Sequence, residues 1–462
     1  MYLPLQQDAL DTDALLHTAC QYAVQVLGNM PDRPVASQQR DIVPQDLPEH
    51  GMGFQLALNW FKATWEPGFS GSAGPRYLGF VTGGATPASL AGDWLTSTYD
   101  QNPTSSLDSS APNLERQTVA WLRELFGLDT AHQGAFVTGA TMSNMVGLAI
   151  AREWLGQQQG IDVSQQGVAA LGDVTILSGA PHSSIYKALS MLGLGRQAVK
   201  SVALLPGREA IDLTQLEAAL QVANGPVIVV ANAGTVNTVD FDDLAAIVAL
   251  KQRYSFWLHV DGAFGAFAAL SPSLSHWVQG LDAADSICID CHKWLNVPYD
   301  SAVQFTRHRD LQLRVFQNSA AYLGMPTENP DFVHLTPENS RRLRALPAWF
   351  TLAAYGRAGH RDIVERNVAC AHRLGELISQ DSRLQLLAPV ILNVVCFTLA
   401  GGPDQEAIQA YLERIGASGQ VFLTATVLHG LWAVRAAFSN WQTQAADVDR
   451  VFAAIQAGCI IA

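Results

Sequence analysis

Lysine is rare in this chain: Lys62, Lys187, Lys200, Lys251 and Lys293 are the only five. Lys62, Lys187 and Lys251 fall on helical patterns, and Lys200 opens a strand. Lys293 stands apart because it follows the apolar run Ser286–Asp290 and precedes Trp294 and Leu295. An amine at the mouth of a sheet, desolvated on one side by an indole, has a lowered pKa and becomes nucleophilic. Alone, Lys293 reads better as a strand-end side chain reaching solvent. Asp261 shifts that balance. It ends the strand Phe256–Val260 and precedes the turn Gly262-Ala263-Phe264-Gly265. A carboxylate at one strand end and an amine at another fit adjacent parallel strands.

Pyridoxal phosphate needs both of those partners. An amine holds its aldehyde as a Schiff base, and an acid keeps the ring nitrogen protonated so that the ring draws electrons. A phosphate cradle must accompany them. The segment Phe136–Met145 begins as a strand, turns at Gly139 and opens a helix running to about Leu155. Backbone amides at that helix start, with the Thr141 and Ser143 hydroxyls, suit an anion. His182 follows the strand Val174–Gly179, which brings an imidazole to the same sheet edge, where it can stack on a flat ring. A lone histidine of this kind is more often structural.

The elements that must position these groups form a repeating pattern. From about residue 76 to 345, short apolar runs alternate with helix-length segments. The runs are Ala135–Thr138, Val174–Leu177, Val202–Leu205, Val227–Ala231, Phe256–Val260 and Ser286–Ile289. Such runs indicate an α/β fold with a parallel sheet covered on both faces, and ligands then sit at the carboxyl ends of the strands. Before it, residues 1–75 carry helical stretches at Asp13–Leu27 and Phe54–Thr64 around a Pro-rich passage, an N-terminal arm suited to packing on a partner chain. After it, residues 346–462 open with a long helix past Pro347 and continue as a smaller α+β domain.

Together the segments resemble the group II pyridoxal-phosphate-dependent amino acid decarboxylases, which include the aromatic L-amino acid and glutamate enzymes. The matching residues are Thr-Gly-Ala-Thr-Met-Ser-Asn-Met at 138–145, His-Ser-Ser at 182–184, Ala-Gly-Thr at 233–235, His-Val-Asp-Gly-Ala-Phe at 259–264 and His-Lys-Trp-Leu at 292–295. Gly-Pro-Arg-Tyr at 74–77 and Ser-Arg-Arg-Leu-Arg at 340–344 extend the resemblance over most of the chain. It implies the type I aminotransferase-like fold and a homodimer with active sites at the subunit interface. By resemblance, Lys293 carries the Schiff base, Asp261 pairs with the pyridinium nitrogen, His182 stacks over the ring and Ala263 packs on its other face. Thr141, Ser143 and His292 hold the phosphate, and Met142 and Thr235 complete the cofactor-binding set. Tyr322 corresponds to a tyrosine on a mobile loop that protonates the substrate carbon after carbon dioxide leaves. Relatives with phenylalanine there make an aldehyde instead.

The chain departs from the pattern at Val236 (many relatives read Gly-Thr-Thr), at Asp290-Cys291 in place of Asn-Pro, and at Gly74 in place of His. The implied reaction is decarboxylation of an L-amino acid to an amine. An aromatic substrate leads, because His-Ser-Ser matches the aromatic enzymes. An aldehyde synthase, a carbon–carbon lyase and an aminotransferase are the enzymatic alternatives, and a non-catalytic homologue is disfavoured by the joint presence of Lys293, Asp261, His182 and Tyr322. An aminotransferase would hold the substrate carboxylate with an arginine. Arg435 sits suitably in sequence, although a structural salt bridge fits it better.

Composition bounds the rest. The chain of 462 residues has 28 Lys+Arg against 41 Asp+Glu, a formal charge of −13, with 48% hydrophobic and 15% charged residues. Its mean hydropathy is +0.11. That balance argues against disorder, nucleic acid and anionic membrane surfaces. No membrane span and no signal peptide are expected, the first Lys or Arg being Arg33, and a cytoplasmic location is the expectation that follows. Six scattered cysteines make no disulfide framework. Cys288-Ile-Asp-Cys291-His292 has the form of a haem attachment sequence but occupies a strand, and Gly193-Leu-Gly195-Arg-Gln-Ala198 precedes a strand instead of following one. No ligand cluster has metal spacing.

Overall fold

A computed structural model describes residues 1–37, 42–43, 45–318 and 329–459. Seven strands, β1 (Gln133–Val137), β2 (Thr175–Ser178), β3 (Val199–Ser201), β4 (Val227–Asn232), β5 (Phe256–Asp261), β6 (Ser286–Ile289) and β7 (Ala302–Thr306), form one sheet in the order β1-β7-β6-β5-β4-β2-β3. All pairings are parallel except those of β7, which runs antiparallel to both β1 and β6. β4 reads Val-Ile-Val-Val-Ala-Asn and is buried throughout, as a strand covered on both faces requires. Its alternation sorts the two cores. Val227, Val229 and Ala231 join Phe256, Leu258 and Val260 on one face, while Ile228 and Val230 join Ile176 and Trp257 on the other.

Two strands differ from expectation. The run Val202–Leu205 reads as a strand in the sequence, but β3 is Val199–Ser201, paired only to β2. Past it the chain turns back on itself, with Leu205 N–H donating to the Ala210 carbonyl. The antiparallel β7 carries no signal separating it from the turn before it. The connection from β6 holds only the four-residue α11, and the chain returns alongside β6.

The helices are α1 (Leu3–Leu10), α2 (Thr12–Gly28), α3 (Gly53–Thr64), α4 (Pro87–Tyr99), α5 (Ala111–Leu125), α6 (Ala140–Gln159), α7 (Val163–Gln166), α8 (Ser183–Met191), α9 (Leu213–Val222), α10 (Leu244–Leu250), α11 (Cys291–Trp294), α12 (Arg309–Phe316), α13 (Ala345–Gln380), α14 (Gln405–Ala417) and α15 (Ala445–Gly458). None of α1, α2 and α3 contains a buried residue. A second, antiparallel sheet has the order β10-β11-β9-β8, from β8 (Leu384–Leu386), β9 (Val394–Leu399), β10 (Thr424–Leu428) and β11 (Leu431–Ala437). Residues 76–78 run beside it, Leu78 exchanging backbone hydrogen bonds with Phe422 and Ala437.

The arginine cluster at 340–344 ties several layers together. Arg341 makes a buried two-pronged pair with Glu115 of α5 at 2.8 and 2.6 Å, and Glu115 also accepts the Phe136 N–H of β1. Arg342 reaches Asp93 of α4 at 2.8 Å, and Arg344 reaches Asp300, beside Tyr299, at 3.1 Å. Removing one partner of the Arg341–Glu115 pair would strand a buried charge, typically at a cost of about 3–5 kcal/mol.

Candidate active site

A cavity of about 380 Å³ opens at the carboxyl ends of β4, β5 and β6. Eight of the sequence-derived residues line it: Lys293, Asp261, His182, Ala263, Thr141, Met142, His292 and Thr235. Adjacent parallel strands bring the amine and the acid together, since β5 ends on Asp261 and β6 leads into the short turn α11 that carries Lys293. Lys293 Nζ lies 4.0 Å from Asp290 Oδ2 and over the Phe264 ring, 5.2 Å from its centroid. Gly83 is obligatory here, because a Cβ on it would fall 1.8 Å from the Lys293 carbonyl oxygen.

Asp261 is buried and accepts two hydrogen bonds. Ala263 N–H reaches Oδ1 at 3.2 Å, and Asn144 Nδ2 reaches Oδ2 at 2.9 Å. His182 caps α8, its Nδ1 accepting the Ser184 N–H at 3.2 Å with the Ser184 hydroxyl 2.7 Å away. Partial burial pushes the His182 pKa down, opposed by Asp261 and reinforced by Lys293 and Arg435. The imidazole is therefore neutral at neutral pH.

Two members of the set spend their hydroxyls elsewhere. Ser143 is fully buried, donates to the Val303 carbonyl at 3.1 Å and does not line the cavity. Its position on α6 turns it toward β7, away from the expected phosphate. Thr235 lines the cavity, but its hydroxyl donates to Glu209 at 2.7 Å. Tyr322 lies outside the described residues. Arg435 was expected to make a structural salt bridge, and among the described residues no carboxylate pairs with it. It lines the cavity, donates to the carbonyls of Val236 and Gly79 at 3.0 Å each, and leaves Nε without a partner. Burial lowers its pKa, an indication of how little water compensates that cation.

Further residues around the site were not anticipated. Asn144, buried behind the cavity, lies within the quoted 138–145 segment. Asp290 is 1% exposed, accepts the Ala140 N–H at 3.1 Å through Oδ2, and leaves Oδ1 without a hydrogen bond 3.1 Å from His292 Nδ1. Tyr299 faces His292 ring to ring, with centroids 4.3 Å apart. Phe80 and Tyr299 give the cavity an aromatic mouth.

These residues fit pyridoxal phosphate. Helices α8, α9 and α10 are capped by side chains of His182, Asp212 and Asp243, whereas α6 starts at Gly139 with no side-chain cap. Asp290 takes the Ala140 N–H, the following N–H groups of the first turn suit an anion, and a Cβ on Gly139 would crowd the His292 ring at 3.2 Å. Among the described residues no cluster of His, Cys, Asp and Glu could hold a metal ion, and no helix is long and apolar enough to cross a membrane.

Comparison with known proteins agrees with this geometry. The chain is similar to an aromatic-L-amino-acid decarboxylase of Bacillus atrophaeus, 26% identical over 85% of this chain and 82% of that one. It is 25% identical to a 4-hydroxyphenylacetaldehyde synthase of Rhodiola rosea over 90% of this chain and 87% of that one. The crystal structure of an Oryza sativa TDC with PLP and tryptamine superposes with a TM-score of 0.90 at 22% identity, covering 98% of both chains, which establishes the fold. The family model for the pyridoxal-dependent decarboxylase conserved domain matches residues 36–400. The chain thus belongs to the pyridoxal-dependent decarboxylase family and is an amino acid decarboxylase whose cofactor is pyridoxal phosphate.

Proposed function

We propose that the enzyme releases carbon dioxide from an aromatic L-amino acid and yields the corresponding amine. The observation that carries this reading is the meeting of the Lys293 amine and the Asp261 carboxylate in one cavity. When bound, the cofactor supplies an electron sink for the pair left by the departing carboxylate. Lys293 is the nucleophile that holds it, and Asp261 keeps a proton at its ring nitrogen. His182 and Ala263 confine the ring, and the N-terminus of α6 with His292 receives the phosphate. Arg435 holds the substrate carboxylate with the free edge of its guanidinium, which aligns the bond to be broken. Phe80 and Tyr299 at the mouth favour an aromatic side chain, and the names of the relatives support the same class. Tyr322 returns the proton to the substrate carbon.

The active form is a homodimer. Helices α1–α3 bury none of their residues and expose Leu3, Leu5, Leu10, Leu16, Val24 and Leu27, an apolar surface suited to a second copy. The location is cytoplasmic, in keeping with six free cysteines.

The test measures carbon dioxide release and product mass from a panel of L-amino acids with added pyridoxal phosphate. Amine should appear from an aromatic substrate, and Lys293→Ala should abolish turnover while the protein stays folded. Tyr322→Phe should divert product toward aldehyde, ammonia and hydrogen peroxide, with dissolved dioxygen as the oxidant and water supplying the aldehyde oxygen. Aldehyde from the parent enzyme would move it to the oxidative branch, and near-normal turnover by Lys293→Ala would sink the assignment.

A further inference from the structure

Behind Asp261 and His182 lies a chain of buried polar groups whose donors and acceptors can be ordered in only one way. It starts at the Trp257 indole, which can only donate, and does so to Ser286 Oγ at 2.9 Å. The Ser286 hydroxyl gives its proton to His259 Nδ1, 2.7 Å away. His259 then carries its own proton on Nε2 and donates it to Asn144 Oδ1 at 3.0 Å. The Asp261 carboxylate, which can only accept, sets this order: it takes the Asn144 NH2 at Oδ2 at 2.9 Å, with Ser184 Oγ at 3.1 Å from the same NH2, so Asn144 Oδ1 faces the His259 Nε2–H and Nδ1 is left to accept from Ser286. Ser184 in turn gives its proton to His182 Nδ1 at 2.7 Å, leaving Nε2–H as the free polar atom of that ring.

Strand and helix periodicity build this arrangement. Trp257, His259 and Asp261 alternate onto one face of β5, and α6 lies across that face. The close approach needs Gly147, one turn beyond Asn144. A Cβ there would stand 2.8 Å from His259 Cε1 and 2.9 Å from Nδ1. A glycine inside a helix costs about 1 kcal/mol relative to alanine, and here its missing side chain admits the imidazole. Trp257, Ser286, His259 and Asn144 do not line the cavity, so they act through the residues that do.

We propose that Trp257, Ser286, His259 and Asn144 form a one-way hydrogen-bond relay that orients Asp261 and, through Ser184, braces His182, which makes His259 and Asn144 positioning residues for the cofactor. This rests on the roles given above to Asp261 and His182. Burial pushes the His259 pKa down to about 4, which keeps the ring neutral, as the relay requires.

The experiment titrates pyridoxal phosphate into apoprotein and follows the visible absorption of the bound cofactor against pH, with thermal unfolding as a control. His259→Phe removes both ring nitrogens and frees the Asn144 amide to turn. It should weaken cofactor binding roughly tenfold to a hundredfold, the equivalent of a lost charge-assisted hydrogen bond, and move the pH midpoint of the absorption. His259→Gln can offer NH2 to Asn144 and a carbonyl to Ser286, and should recover the parent affinity to within about threefold. Asn144→Asp, isosteric but unable to donate, should behave like His259→Phe and serves if that variant does not fold. The relay is overturned if folded His259→Phe or Asn144→Asp matches the parent in affinity and pH midpoint, or if His259→Gln is no better than His259→Phe. Asp261→Asn is measured in parallel. Parent-like binding in that variant would overturn the role of Asp261 and the relay with it, whereas an impaired Asp261→Asn beside a normal His259→Phe would overturn the relay alone.

Discussion

The two sides of the cavity treat their polar atoms in opposite ways. On the β5 side, Asp261, Asn144, His259 and Ser286 satisfy one another, and every link from Trp257 to His182 has a partner. On the side formed by α11 and the C-terminal sheet, Asp290 Oδ1 and Arg435 Nε are buried without hydrogen bonds, and Gly139 at the N-cap of α6 offers no side chain. An unsatisfied buried polar atom costs about 1–3 kcal/mol, more when charged, so a wall with several of them is expensive unless a ligand completes it. The satisfied wall holds its shape by itself, and the unsatisfied wall takes its shape from what binds.

That contrast can be broken first at Arg435. Arg435→Gln removes the charge from the open wall but keeps a donor for the Gly79 or Val236 carbonyl. We expect kcat/KM for the amino acid to fall about tenfold to a hundredfold, with cofactor affinity held within about threefold. Steady-state kinetics beside a cofactor titration separates the two, and an unchanged kcat/KM would remove Arg435 from substrate binding.

The satisfied wall should show itself in acid stability. His259 is held near pKa 4 when folded and returns to about 6.5 when unfolded. Below about pH 6.5 the unfolded chain takes up the proton that the folded chain refuses, so stability falls as pH drops toward 4. The single-site contribution is on the order of 3 kcal/mol. His360 titrates in the same direction, and Asp242, raised to about 6 by burial, opposes both between its ordinary value and 6. Melting temperature against pH should therefore decline on acidification, and less steeply in His259→Gln than in the parent. Equal slopes would mean that His259 does not carry the effect.

The smallest effect is expected at Ser143, because its hydroxyl serves the Val303 carbonyl and not the cavity. Ser143→Ala should leave cofactor affinity within about threefold and cost about 1 kcal/mol of stability. A large loss of cofactor affinity with no loss of stability would return Ser143 to the phosphate cradle.

Lys293, Asp261, His182 and the turn at Gly139 could all be found in the sequence, because each follows an apolar run whose length and pattern announce a strand end. Helical periodicity placed α2 closely, with Asp13–Leu27 expected and Thr12–Gly28 observed, whereas α6 runs to Gln159, past the expected end near Leu155. β7 was not legible, since its direction depends on the length of a connection and on what lies beside it. Neither was the destination of a hydroxyl. Ser143 and Thr141 are two residues apart on one helix, yet one faces β7 and the other the cavity.

The sequence alone therefore determined the chemistry on offer: one nucleophilic amine, one acid, one imidazole and a glycine-started helix, each tied to a strand end by local periodicity. The tertiary structure decided which polar atoms have partners. Asn144 meets His259 and Asp261, Arg435 meets no carboxylate among the described residues, and Asp290 is left half-satisfied. Partnership between side chains far apart in the chain depends on how strands and helices pack in three dimensions. No pattern along the chain encodes it.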